Sequence, residues 1–205
     1  MLSFRKMCCI PAALLSCCAL SSCEQITDVV PKQEQPQVDR EAIYTIKEGF
    51  HYADINSYKR RTTDRLRFSV VFDSTAIYTT ADPDNQGDIN KLYGLSDCGS
   101  AHHTNSARFG WRWYNGKLEL HAYTYFNNER NAAYVGSVTL GEPAICEIRM
   151  ENKKYVFYLN GKSVSLPRAC TGTGEGYQLY PYFGGDETAP HDVTITIREL
   201  PEVMI

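Results

Sequence analysis

The residues able to do chemistry gather in ARFGWRWYNGKLELHAYTYF, from Ala107 to Phe126. Within it Asn115-Gly116 signals a two-residue type I′ turn, because both central positions require positive φ. That turn sets Tyr114 opposite Lys117, and counting outward pairs Trp113 with Leu118, Arg112 with Glu119, Trp111 with Leu120, Gly110 with His121 and Arg108 with Tyr123. One face is then an apolar wall of Phe109, Trp111, Trp113, Leu118, Leu120 and Ala122, which makes both tryptophans core residues rather than a stacking platform. The other face presents Arg108, Arg112, Glu119, His121, Tyr123 and Tyr125, with Gly110 leaving room for an approaching group. Arginine can neutralise a carboxylate, and His or Tyr can move a proton beside it. The same face also reads as plain wet surface, on which an Arg112–Glu119 pair is worth ~0.2–1 kcal/mol.

A second group lies near the C-terminus in YPYFGGDETAPHD. Alternation places Gln178, Tyr180 and Tyr182 on one face and Tyr177, Leu179, Pro181 and Phe183 on the other. Pro181 cannot donate to a ladder, so it marks an edge or a bulge. Tyr180, Tyr182 and Asp186 are the ligand candidates here, and loops around Asn90, His103 and Asp186 would form a rim. Adjacent residues on an extended chain face opposite ways, so His191 and Asp192 make a poor catalytic dyad.

Asp82, Asp84 and Asp88 lie in ADPDNQGDINKLYG, where an irregular, oxygen-lined Ca²⁺ site and an ordinary polar turn are both open readings. A full EF-hand is excluded, since position twelve would be Tyr93 rather than a bidentate Glu. A glycosidase needs two carboxyls across a cleft, and Glu119 has an arginine as its neighbour instead.

These groups must be positioned by strands. The chain shows almost no helical period, while period-two alternation recurs between Gly, Asn, Asp and Pro. Eleven strands are predicted: Ile43 to Lys47, Leu66 to Phe72, Lys91 to Leu95, Ala107 to Tyr114, Lys117 to Phe126, Tyr134 to Leu140, Ala144 to Met150, Tyr155 to Leu159, Lys162 to Leu166, Tyr177 to Phe183 and Val193 to Glu199. So many strands in one domain require two packed antiparallel sheets, an all-β sandwich over residues 41–205.

Before that domain, Arg5 and Lys6 precede a mostly apolar run from Met7 to Leu20, too short for the roughly 20 residues a bilayer span needs. The following LSSC resembles a bacterial lipobox, which implies cleavage after residue 22 and lipidation of Cys23. Residues 23–40 are polar and carry Pro31 and Pro36, so they read as a tether. The expected place is the cell envelope, held to a membrane by lipid alone. Cys98, Cys146 and Cys170 then remain; they allow one disulfide at most, Cys98 to Cys170 being a loop clamp the sequence permits without choosing it. Cys146 alternates with Ile148 and Met150 and is expected to be a buried thiol. Net charge is −3 with no basic stripe, which argues against nucleic acid as a partner.

YVFYLNGK, from Tyr155 to Lys162, resembles the Y-V-x-x-N/D-G-K element of concanavalin A-like and laminin G-like jelly rolls, and the closing strand VTITIREL fits the same pattern. The resemblance implies a jelly roll; a glycan or glycoprotein ligand is expected from that lectin-like sandwich together with the surface anchor and the Arg/His/Tyr face. Alginate-lyase-type jelly rolls carry R-x-E-x-R and Q-x-H strands. Here Arg108 and Arg112 keep the arginines around Gly110, and His121 follows Glu119 in place of Gln. The leading expectation is a non-catalytic, lipid-anchored glycan-binding protein. The alternative is a polysaccharide lyase using Arg108, His121 and Tyr123 in β-elimination, and a third class is a structural envelope lipoprotein with protein partners.

Overall fold

The computed structural model describes residues 41–201, so the signal segment, Cys23 and the tether lie outside the described residues. The expectation of an all-β sandwich holds. One sheet runs in the order β1 (Glu41–Ile46), β12 (Val193–Glu199), β3 (Arg65–Phe72), β8 (Ala144–Glu151), β9 (Lys154–Leu159), β10 (Lys162–Pro167). The other runs β2 (Arg60–Thr63), β11 (Gly174–Leu179), β4 (Asn90–Ser96), β5 (Ser106–Tyr114), β6 (Lys117–Phe126), β7 (Glu129–Val138). All pairings are antiparallel, as in a jelly-roll sandwich.

Each of the eleven expected strands has a counterpart, and the twelfth, β2, was missed. Its RRTT sequence has no apolar face to advertise, and it is held by only four pairings to β11. The β5–β6 register matches the count from Asn115-Gly116 at every pair. Consequently Phe109, Trp111, Leu118, Leu120 and Ala122 are fully buried between the sheets. Phe109 stands edge-on to Phe68 and Phe157 of the opposite sheet, and Trp111 packs on Phe72. Each such large side chain contributes roughly 1.5–3 kcal/mol on burial. Cys146 is a free thiol inside this core, and burial pushes its pKa up.

One polar cluster is set into this apolar frame. Asp97, just after β4, and Arg168, just after β10, have no side-chain exposure and pair through Nε–Oδ2 (2.6 Å) and Nη2–Oδ1 (3.3 Å). The Tyr155 hydroxyl donates to Asp97 Oδ2 (2.8 Å), the Glu175 amide to Oδ1 (3.0 Å), and Arg168 Nη1 to the Gly172 carbonyl (2.7 Å). The Cys98–Cys170 disulfide closes the same region, 72 residues apart in sequence. Replacing Arg168 by Leu strands Asp97 as a buried, unpaired charge. Chemical denaturation of Arg168→Leu is therefore expected to show a loss of about 3–5 kcal/mol; a loss below about 1 kcal/mol would mean that the pair does not organise this end of the sandwich.

Candidate functional site

The exposed face of the β2–β7 sheet holds a groove of about 570 Å³. Its floor takes Lys91 from β4, Arg108 from β5 and Tyr123 and Tyr125 from β6, and Arg130 of β7 lies beyond them. The pairings Gly94–Arg108–Tyr123 and Ser106–Tyr125–Arg130 carry these side chains to one face in two adjacent rows. Gly94 is required there: a Cβ would stand 2.1 Å from the Ala107 carbonyl and 2.4 Å from Arg108 Cα. One wall comes from His102 and His103 in the β4–β5 loop. Another is Leu179 at the end of β11 with Pro181, Tyr182 and Gly185 beyond it, faced by Tyr52 and Asn56 of the β1–β2 segment. Among the described residues, no carboxylate lines the groove.

Arg108 is 6% exposed, its Nε has no hydrogen-bond partner, and no carboxylate lies within ion-pair distance among the described residues. Burial lowers its pKa, and the Tyr123 ring, 5.3 Å from Cζ, offers only cation–π compensation. Lys91 donates to the Gly184 carbonyl and sits over the Tyr123 and Tyr182 rings at 5.6 and 5.4 Å. Burial, with Arg108 and Arg130 repelling it against the pull of Asp88, lowers its pKa to about 8. His102 is lowered to about 4 by burial, then by His103 and Arg108, so it is neutral at pH 7. Its backbone amide donates to the Tyr177 hydroxyl (3.1 Å), and its Nδ1 lies within hydrogen-bond distance (2.8 Å) of the same oxygen. Tyr182 is fixed by stacking on His51 (5.0 Å) and by Tyr52 edge-on (4.9 Å).

The sequence-derived ligand residues divide into two groups. Arg108, Tyr123, Tyr125, Tyr180 and Tyr182 border the groove, as does His103 from the expected rim. Arg112, Glu119 and His121 do not; they share the sheet face but close on one another. Arg112 donates to Glu119 Oε2 (2.8 Å) and to the Gly87 carbonyl (2.7 Å), and His121 Nε2 lies 3.2 Å from the same Glu119 oxygen. Burial works against the Glu119 charge, but Arg112 and His121 hold its carboxyl below the usual range. This is the cross-strand ion pair of the plain-surface reading, and it removes the Arg108–His121–Tyr123 arrangement from a common cavity.

Further placements depart from expectation. The room expected at Gly110 is taken by the chain itself, since a Cβ would meet Ile89 Cγ2 at 2.3 Å. Tyr180 touches the groove, but its ring packs against Tyr44 and Tyr93 of the core. The strand ends at Leu179, and beyond Pro181 the alternation slips, so Tyr182 faces the groove and Phe183 the core. Asn90 is buried, donating to the Tyr78 hydroxyl (3.0 Å) and accepting from the Gly184 amide (2.6 Å). Asp186 is exposed beside the groove residue Gly185 without itself lining the cavity. Asp82 caps the short 3-10 turn Pro83–Gly87, and Asp82, Asp84 and Asp88 do not converge on a common ion position among the described residues. The loop amides of Ala81 and Asp82 are taken by Glu187 instead. His191 and Asp192 have separate partners, Thr75 and Lys47.

Lys91, Arg130, Tyr52 and Asn56 were not singled out from the sequence. Arg130 had a usable signal: Asn127 and Asn128 both adopt positive φ, and a turn there pairs Tyr125 with Arg130. Tyr52 and Asn56 lie in a segment without periodicity, where sequence gives no facing.

No protein-family model matches the chain, and no curated protein sequence matches it. Solved structures do. Alginate lyase AlyC3 superposes with TM-score 0.52 at 10% identity, over 77% of this chain and 72% of that one. A Bacillus licheniformis β-glucanase gives 0.47 at 11% over 79% of each chain, and the Caenorhabditis elegans galectin LEC-6 gives 0.40 at 11% over 81% and 93%. At these identities the likeness concerns the sandwich fold.

The unpaired cations make a stability prediction. A lysine with a folded pKa of about 8 and an unfolded value of 10.5 carries a charging cost below pH 8 that is relieved as pH rises toward 10.5. Lys91→Met is therefore expected to raise the melting temperature, by roughly 2–8 °C at pH 7 and by less at pH 10. Equal gains at both pH values, or a loss, would contradict a half-buried ammonium without an ion-pair partner.

Proposed function

We propose that the groove binds an anionic glycan, its carboxylate or sulfate groups serving as counterions to Arg108, Lys91 and Arg130. The observation carrying this reading is Arg108, a buried guanidinium with an unpartnered Nε, opening on a cavity lined by three cations and, among the described residues, no acid. Such a group costs stability until an anion reaches it. The tyrosines suit a sugar, offering apolar faces and polar tips on rigid side chains. In a titration of the full-length chain, alginate and heparin oligosaccharides are expected to bind, more weakly at high salt, and neutral laminarin oligosaccharides are not. Arg108→Met is expected to weaken binding roughly 30-fold or more. Equal binding of the neutral glycan, or no loss in Arg108→Met, would sink the reading.

A second reading is a β-eliminating lyase, favoured by the lowered pKa of Lys91 beside Arg108 and by a fold shared with AlyC3, which its name gives as an alginate lyase. In it Arg108 would neutralise a uronate carboxylate, neutral Lys91 would take the proton α to it, and Tyr123 or Tyr182 would protonate the leaving glycosidic oxygen as the C–O bond breaks. An unsaturated, ultraviolet-absorbing uronate in the alginate titration would select this reading over simple binding.

The LSSC sequence supports placing the protein on the cell envelope through lipid on Cys23, with residues 24–40 as tether. Metabolic labelling with a fatty acid in a bacterial host is expected to mark the wild-type chain and not Cys23→Ser. Equal labelling would remove the anchor.

A further inference from the structure

We infer that the ligand is a linear polyanion laid across the strands, and that Tyr58 and Arg60 form a distal subsite beyond the groove. This rests on the anionic-glycan reading and adds a length requirement and a second contact. The groove draws side chains from β4, β5, β6 and β7 in turn, so its long axis crosses the strands. At roughly 4.8 Å per strand step, the six strands from β2 to β7 span about 24 Å, far more than one sugar ring covers.

The charge continues along that axis. Arg61 of β2 turns inward, to Gln178, Tyr93 and Glu199. Strand alternation therefore sends Arg60 to the opposite face, where it pairs in register with Tyr177. Arg60 is exposed and makes no ion pair among the described residues. Three strand steps separate it from β5, so a ligand touching both Arg60 and Arg108 must reach across roughly 14 Å.

The aromatic surface follows the same line. Phe50, Tyr52, Ile55 and Tyr58 are 63%, 64%, 42% and 77% exposed, a concentration of uncovered apolar side chains in one short segment. The two tyrosines are not loose. Tyr52 stands edge-on to Tyr182, and Tyr58 lies 5.7 Å from Tyr177 at 36°. Tyr177 also holds His102 of the groove wall, so Tyr58 is continuous with the groove through Tyr177 and His102. Exposed rings held in place beside a cationic trough fit a sugar face better than they fit solvent.

The experiment is a calorimetric titration of the full-length chain with a disaccharide and an octasaccharide from alginate, and with the same pair from heparin. The octasaccharide of the matching chemistry is expected to bind at least about tenfold more tightly than its disaccharide. The Tyr58→Ala/Arg60→Ala double variant is expected to lose that advantage while leaving disaccharide affinity and melting temperature unchanged. Arg108→Met is expected to weaken both lengths. Response to the alginate pair alone identifies carboxylate as the recognised group, and to the heparin pair alone, sulfate. Equal affinity for the two lengths, or a double variant that weakens the disaccharide equally, overturns the distal subsite while an Arg108-dependent disaccharide keeps the groove reading. Failure of every probe to bind overturns both.

Discussion

The arrangement depends on the buried pairing of Asp97 with Arg168. Two charges removed from water are tolerable only when each satisfies the other and the leftover acceptors are filled, and Tyr155 and the Glu175 amide fill them. The pairing joins the end of β4, a tyrosine of β9 and the segment leading into β11, elements from both sheets. With the Cys98–Cys170 link beside it, it fixes where β11 begins. From that start the chain needs only one short strand to reach Pro181 and deliver Tyr182 to the groove.

The same chain treats its groove cations in the opposite way. Asp97 and Arg168 are paired to saturation, whereas Arg108 is buried and Lys91 half-buried among tyrosines, with no carboxylate among the described residues in ion-pair distance of either. A fold selected only for stability would have placed a carboxylate or an apolar residue there. Nearby acids exist but are committed elsewhere: Glu119 to Arg112, Glu199 to Arg61 and Tyr93, Glu187 to the 81–82 amides. Asp88 exerts a counter-pull on Lys91 without making an ion pair with it, and it abuts Gly185, where a Cβ would meet its Oδ2 at 1.9 Å. The positive field is thus directed outward, into the space a ligand would occupy.

Much of this was legible in the sequence where local rules dominate. Asn115-Gly116 forces its turn, and the turn fixes which side of β5 and β6 each residue occupies, so the buried Trp111, the half-buried Trp113 packed against the core and the Arg/His/Tyr face follow directly. What the register could not reveal is how side chains on one face choose partners. The count from the turn already set Glu119 opposite Arg112 and Tyr123 opposite Arg108, but it could not show that no carboxylate from elsewhere among the described residues reaches Arg108, and that difference separates a structural ion pair from an available cation. The slip beyond Pro181 was half legible: proline announces an interruption, but not that the chain re-pairs Tyr182 with Lys91. The Tyr52 wall was not legible, because its position is set by contacts with Tyr182, far along the chain.

The claim that Arg108 waits for an anion is tested most directly by the resonances of the arginine Nε–H groups on adding an alginate or heparin octasaccharide. With Arg108 assigned by its substitution, its Nε–H signal is predicted to shift on saturation, because an anion engaging the guanidinium changes the surroundings of that buried N–H, while the Arg168 signal stays in place. A titration that moves only arginines of the sheet opposite the groove, such as Arg65 and Arg67 of β3 and Arg149 of β8, or none, would contradict the account.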